Sequence, residues 1–353
     1  MALNSLHASA ADLLACRALL RQGSRSFYAA SKLLPVSVYE PAGVLYAFCR
    51  LADDEIDDAI DGLAVTPASP EAALQRLRQR LAAAYAGAPM ATPVDRALAD
   101  MLASHAMPRA LPEALLEGFA WDAEGRVYET LSDVLAYAAR VAGSVGAMMT
   151  VLMGRTDANV VARACDLGVA MQLSNIARDV GADARAGRLY LPREWLREVG
   201  IDPEAWLADP QFSPALGSVV ARLLCVADAL YIRADSGIAR LPLVCRPGIG
   251  AARLLYAEIG HEVARAGHDS LHRRAVVSGR RKLALLARSV ARALWLAPAC
   301  VAAPLAETCF LVDAVQQSVR ADAGHAGSVG WAIELFARLD ERDMVASASR
   351  VSA

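Results

Sequence analysis

The sequence predicts an all-α fold built as a single helical bundle, and three observations carry that prediction. Hydrophobic residues make up 56% of the 353 but aromatics only 6%, so the apolar content is mainly Ala, Leu and Val, which suit packed helices better than strands. Apolar residues recur at spacings of three and four through most of the chain. No convincing stretch of strand-like alternation interrupts them. About eight to ten helices of ordinary globular length are expected, packed into one compact body.

The breaks between helices fall, in order, at 61–70 (DGLAVTPASP), 87–93 (GAPMATP), 107–112 (MPRALP) and 202–214 (DPEAWLADPQFSP). None has the length or low complexity of an interdomain linker, so residues 1–312 are expected to form one domain. The run Ala293 to Ala306 is apolar and charge-free, but it carries Pro298 and Pro304 and is shorter than the roughly 18 residues of a spanning helix. It is read as a buried helix end and turn. With a mean hydropathy of +0.30, a membrane-surface contact stays open. From about Asp313 the composition changes: QQSVRADAGHAGSVG gives way to a short amphipathic WAIELFARLDERD and a Ser/Ala end. Residues 313–353 are expected to be a C-terminal extension, a loosely docked helix and a frayed tail.

Net charge is −2 and no long Lys/Arg block is present, so nucleic acid is not an expected partner. The seven cysteines stand singly with no CxxC pair, which argues against a zinc ribbon, a redox motif or a disulfide scaffold. No basic n-region followed by an apolar stretch marks a secretory signal in MALNSLHASAADLL, and a cytoplasmic location is expected.

The densest chemical signal is CRLADDEIDDAID, residues 49–61, with Asp53, Asp54, Asp57 and Asp58 within six positions. On a helix, Asp53 and Asp57 are i, i+4 neighbours, and so are Asp54 and Asp58; such like charges repel by a few tenths of a kcal/mol, roughly, per pair. A cation would relieve that repulsion. The second signal is QLSNIARDVGADARAGRLYLP, residues 172–192, where Asp179 and Asp183 repeat the DxxxD spacing beside Arg178, Arg185 and Arg188. Carboxylates hold hard cations and guanidinium groups fork onto phosphate oxygens, so together they suit a diphosphate–metal cluster. One DxxxD alone usually marks a solvated acidic face. Two of them, each with an Arg just before it (Arg50 and Arg178) and each flanked by apolar helix sequence, point to function.

A third stretch, YAARVAGSVG from Tyr137 to Gly146, brings small residues to one helix. They either permit close helix approach or leave room for a ligand chain, and the sequence leaves both open. GIGAAR at 248–253 lacks a preceding strand and a third glycine, so it is not a dinucleotide loop. His261, His268 and His272 have no Glu or Cys completing a zinc set and read as surface histidines.

With these residues in view, the chain resembles the squalene/phytoene synthase family, and within it the bacterial phytoene synthases. The resemblance rests on SRSFYAASKLLP (24–35), YAFCRLADDEID (46–57), YAARVAGSVGAMM (137–149), LGVAMQLSNIARDVGADARAGRLYLP (167–192) and, more loosely, RRAVVSGRRKL (273–283). It implies an isoprenoid synthase fold in which two aspartate-rich helices face each other across a central cavity. It further implies that Asp53 and Asp57 form the first metal motif and Asp179 and Asp183 the second, with Gln172 and Asn175 lining the site on the same helix face and Asn175 joining the metal ligands. Arg50, Arg178, Arg188 and Tyr190 become diphosphate contacts, and Ser24, Ser26, Phe27, Tyr46 and Tyr137 would surround the reacting carbons. The second motif reads DVGAD where many relatives have DVGED, so one accessory carboxylate is missing while both outer ligands remain.

The implied reaction is the head-to-head condensation of two geranylgeranyl diphosphates, through prephytoene diphosphate, to 15-cis-phytoene and two diphosphates. The implied cofactor is Mg²⁺ (or Mn²⁺), two to three ions bridged by diphosphate, with no NADPH. A same-fold enzyme using C15 farnesyl diphosphate to make dehydrosqualene, hydroxysqualene or squalene is the alternative, because side chains deep in the cavity set chain length. A non-catalytic lipid-binding relative should have lost the acidic pairs, and all four outer positions are present.

Overall fold

The computed structural model describes residues 6–60, 69–294, 297, 300 and 302–321, and these form helices and connecting turns with no strand among them. In chain order the helices are α1 (Ala10–Gly23), α2 (Arg25–Ser31), α3 (Val36–Ile60), α4 (Pro70–Tyr85), α5 (Pro93–Ser104), α6 (Ala110–Ala123) and α7 (Leu131–Ala138). A π-helical segment, Ala139–Gly143, joins α7 to α8 (Ser144–Leu152). There follow α9 (Ala158–Arg185), α10 (Arg193–Glu198), α11 (Pro203–Ala208), α12 (Pro214–Ile238), α13 (Arg246–Arg265) and α14 (Gly279–Arg292). After a 3₁₀ turn (Ala306–Thr308), a last helix, α15, covers 309–321. There are more helices among the described residues than the eight to ten expected, in part because α2, α10 and α11 are six or seven residues long, too short to show a periodicity, and because α7 and α8 form one run divided by the π segment.

Helix starts follow the local chemistry. Ser69, Thr92 and Ser213 cap α4, α5 and α12, each accepting a hydrogen bond from the backbone N–H three residues on, and each precedes a proline whose fixed φ suits the first helical position. Ser9 and Thr130 go further and form reciprocal capping boxes with Asp12 and Asp133. The same chemistry corrects the predicted loop at 202–214: Asp202 caps α11 and Pro203 opens it. The 107–112 break is also shorter than expected, since α6 begins at Ala110. Most of the 61–70 break lies outside the described residues.

α9, 28 residues long, is the axis of the molecule. Its first half (Val161, Ala162, Cys165) is buried with α1, α3 to α6, α8 and α15, whereas Val169 to Ala184 is buried with α7, α10, α12 and α13. α8 presses onto α9 at glycine: a Cβ on Gly146 would stand 2.3 Å from the Ala164 carbonyl oxygen, and one on Gly168 would stand 2.2 Å from that of Ala142. The expected domain boundary at 312/313 falls inside α15, whose Leu311, Val312 and Val315 are buried in the bundle, so this helix belongs to the main body as far as 321. The amphipathic segment expected at 331–343 lies outside the described residues. The predicted buried helix end after α14 is corrected as well: Leu294 is 75% exposed.

Candidate active site

α3 carries Tyr46, Arg50, Asp53 and Asp57 down one face, and α9 carries Gln172, Asn175, Asp179 and Asp183 down another, because i, i+3 and i+4 positions of a helix share a side. Arg188, in the turn after α9, donates to Asp57 Oδ1 across the gap at 2.8 Å and so ties the second acidic motif to the first. On α3, Arg50 is held by Asp54 at 2.5 Å and stands 3.5 Å from Asp53. Asp58 is exposed. Asp53 and Asp57 are therefore the pair of α3 carboxylates left to face α9 and Arg188.

The carboxylates are not alike electrostatically. Burial, then the nearby charge of Asp57, pushes the Asp53 carboxyl up to about 6. Burial and Asp179 push Asp183 up to about 7. Against the push of burial, Asp179 is held below its ordinary range by two guanidiniums: Arg178, donating at 2.8 Å, and Arg274, donating at 2.7 and 3.3 Å. Arg274 comes from the segment before α14, inside the loosely matching RRAVVSGRRKL stretch, and sequence reasoning did not single it out.

Asp122, on α6, was missed altogether, since a lone acid in FAWDAEG has no spacing to mark it. It accepts hydrogen bonds from Tyr137 (2.8 Å) and Tyr190 (2.6 Å), and its negative charge raises the pKa of both Asp53 and Asp183. It thus lies beside both acidic walls. Its own carboxyl is raised by burial, with the two tyrosines opposing. Tyr137 stacks on Tyr190 with centroids 5.1 Å apart, and Tyr128 closes the group, its hydroxyl buried without a partner among the described residues.

Below the charged rim is a cavity of about 290 Å³, with an almost wholly apolar wall. Gln172 and Asn175 are at its polar end; Met153, Val160, Arg163 and Leu241 are at the other. Measured along α9 from Asn175 to Val160, at about 1.5 Å per residue, that wall is roughly 22 Å long. Phe27 and Tyr46 line it, as expected. Ser24, Ser26 and Tyr137 do not. Ser24 caps α2, accepting from the Phe27 N–H, and its side chain also hydrogen-bonds Tyr256, which lines the wall; Ser26 is half-buried on that helix, and the Tyr137 hydroxyl donates to Asp122 at the charged rim. The open question over YAARVAGSVG resolves in both senses, because Ala142 and Gly146 line the cavity while the glycine backbone packs against α9.

Whether these residues suit a divalent cation can be tested on the side chains themselves. Asn175 Oδ1 is buried without a hydrogen-bond partner among the described residues, an acceptor with an unused lone pair beside the acidic walls. Burial first and neighbouring carboxylates second raise the pKa of Asp53 and Asp183, and a cation would relieve the carboxylate repulsion. Among the described residues no three acidic, His or Cys side chains converge on one point. Mg²⁺ does not require such a cluster, because it takes one or two carboxylates and completes its shell with water and phosphate oxygens. The residues fit the group.

The family model for squalene/phytoene synthase matches residues 20–281, a span that contains both acidic motifs, Asp122 and Arg274. The chain belongs to the squalene/phytoene synthase family. It is 55% identical over 309 residues to a phytoene synthase of Rhodobacter capsulatus, covering 86% of this chain and 90% of that one. It is 50% identical over 350 residues to a phytoene synthase of Cereibacter sphaeroides, covering 97% and 98%. Among solved structures, a dehydrosqualene synthase superposes with a TM-score of 0.71 at 32% identity, covering 80% of this chain and 96% of that one. As a member of this family the chain is a prenyltransferase with an isoprenoid synthase fold, and the all-α reading of the sequence stands.

Proposed function

We propose that this chain condenses two molecules of geranylgeranyl diphosphate head to head, through prephytoene diphosphate, to 15-cis-phytoene and two diphosphates, the first step of carotenoid biosynthesis. The observation that carries the reading is the union of two acidic walls with a long apolar cavity, in a chain matched nearly end to end by phytoene synthases. In this reading Asp53, Asp57, Asp179, Asp183 and Asn175 hold two to three Mg²⁺ (or Mn²⁺) ions. When bound, these supply Lewis acidity to the leaving diphosphate.

The chain's own groups do the rest. Arg188 and Arg178, with Arg274 and Arg50 nearby, give fixed positive charge where the diphosphate's charge grows, and being preorganised they need little rearrangement. The apolar wall from Phe27 to Val160 holds the prenyl tails and keeps water from the allylic cation that forms when the first diphosphate leaves. The double bond of the second substrate attacks that cation, and proton loss closes the cyclopropane. Departure of the second diphosphate, ring rearrangement and loss of another proton then give the central triene. Asp122, with its two tyrosine partners beside both walls, orients the hydroxyls of Tyr137 and Tyr190 toward this chemistry. The overall change needs no hydride, and NADPH has no part in the reading. A cytoplasmic enzyme in peripheral contact with membrane accords with substrates that carry long apolar chains and a product that is wholly apolar.

A C15 reading draws support from the likeness to a dehydrosqualene synthase, at lower identity. The purified chain is to be incubated with Mg²⁺ and either geranylgeranyl or farnesyl diphosphate, without NADPH, and the hydrocarbon identified by chromatography and mass. A C40 product that disappears in Asp53→Asn is the expected result; a C30 product from farnesyl diphosphate alone would overturn the chain length and keep the reaction type.

A further inference from the structure

We propose that the outward face of α14 is a docking surface for an anionic lipid bilayer. Two features of the helix fix which side faces out. Leu285 and Ser289 are buried against α13, and Arg281 donates to the buried Glu258 of α13 at 2.8 and 2.9 Å. On the other side Leu283, Ala287, Val290 and Leu294 follow one another at i, i+4, i+7 and i+11, one continuous stripe. Leu283 is 69% exposed and Val290 52%. Val276, just before the helix, is 74% exposed.

The segment's own charge has one sign. Residues 273–294 contain seven of the chain's 36 Lys and Arg and no Asp or Glu, in a chain whose net charge is −2. Arg274, Arg281 and Arg292 are paired with Asp179, Glu258 and Asp235 of other elements, but Arg273, Arg280, Lys282 and Arg288 have no ion-pair partner among the described residues. An exposed apolar ridge set among unpaired cations matches both parts of an anionic bilayer: the ridge enters the acyl boundary while the cations stay at the phosphates. A wholly solvated helix face would account for the cations and leave the ridge unexplained. The surface also adjoins the site, since Arg274 at its start is the residue that clamps Asp179. For its purpose the inference rests on the proposed prenyl substrates; the surface itself rests on α14.

The test is flotation of the full chain with phosphatidylglycerol/phosphatidylcholine vesicles, beside turnover of detergent-solubilised substrate. The chain should float with the anionic vesicles and bind on the order of tenfold less to pure phosphatidylcholine or at high salt. The double substitution L283D/V290D should cut the floated fraction about tenfold, and R280Q/R288Q should cut it on anionic vesicles only, with turnover in detergent unchanged for both. A full chain that stays at the bottom of the gradient overturns the proposal, as does L283D/V290D floating like the parent. A chain ending at Ala321 that floats while the full chain does not would also overturn it, with the C-terminal segment as the occupant of this face. Failure of the proposed reaction would show separately, as no turnover by the parent in detergent.

Discussion

Asp122 is where a single side chain does most to join the site together, because its carboxylate holds two tyrosine hydroxyls beside both acidic walls. Asp122→Asn keeps the shape but replaces charge-assisted hydrogen bonds with neutral ones, a loss of about 1–2 kcal/mol, so kcat should fall roughly tenfold with little change in KM. An unchanged kcat would remove Asp122 from the machinery. Asn175→Ala makes the opposite kind of test. Among the described residues its Oδ1 has no partner to lose and its amide N–H has only a long 3.5 Å bond to Gln172, so melting temperature should hardly move while the Mg²⁺ concentration for half-maximal activity rises; a large drop in stability with normal Mg²⁺ dependence would sink the reading. The raised carboxyls of Asp53 and Asp183 give a pH signature. Between an ordinary carboxyl value and about 6 to 7, the folded metal-free protein holds protons that the unfolded chain has released. Stability contributed by these groups is therefore present at low pH and lost as pH rises through about 7, whereas cation binding strengthens over the same range. Melting scans of metal-free protein should show this slope, reduced in Asp183→Asn; identical slopes would exclude it.

At the scale of the element, the packing of α8 on α9 sets both the cavity wall and the position of the second acidic motif. Gly168→Ala would place a methyl 2.2 Å from a main-chain carbonyl oxygen, which no rotamer change can relieve, so a loss of roughly 2–3 kcal/mol is expected in chemical denaturation. Gly143→Ala is the control: its nearest neighbours would be side-chain carbons of Leu311 and Val169 at 3.5 and 3.6 Å, ordinary contact, and its cost should be close to zero. Equal effects would mean that close approach is not what fixes these glycines. The buried Arg163–Asp166 pair on α9, at 2.8 Å, matters for a different element: with Arg233 it binds the carbonyls of Ala302 and Ala303 and anchors the chain between α14 and α15.

For the whole molecule, the depth of the cavity decides what the proposed enzyme accepts. Val160 is at the end remote from the acidic rim and is 4% exposed. Val160→Trp should fill that end and lower the use of the C20 substrate relative to C15 by about tenfold, read from mixed-substrate incubations; an unaltered ratio would place the tail elsewhere. Two helical stretches, Leu131–Leu152 and Pro214–Ile238, are long and apolar enough to cross a membrane, but half or more of each is buried inside the bundle. Their apolarity follows from packing, since both stretches lie against α9.

By itself the sequence determined the helical class, the two acidic motifs and their arginines, since these depend on periodicity and spacing within single helices, which local geometry fixes. Arg178, Asp179 and Asp183 could be read because they occupy neighbouring turns of one helix. Only the tertiary structure decided the rest. Asp122 and Arg274 reach the site from α6 and from the segment before α14, 57 residues before and 95 residues after Asp179, and no local pattern records that approach. Ser24, Ser26 and Tyr137 carried no signal that they would fall outside the cavity wall itself, with Ser24 hydrogen-bonded to the wall residue Tyr256 and Tyr137 to Asp122 at the charged rim. The outward stripe of α14 has the same heptad-like spacing as a core face, and its exposure followed from a choice made elsewhere: Leu285, Ser289 and the Glu258–Arg281 pair turned the other side of the helix inward.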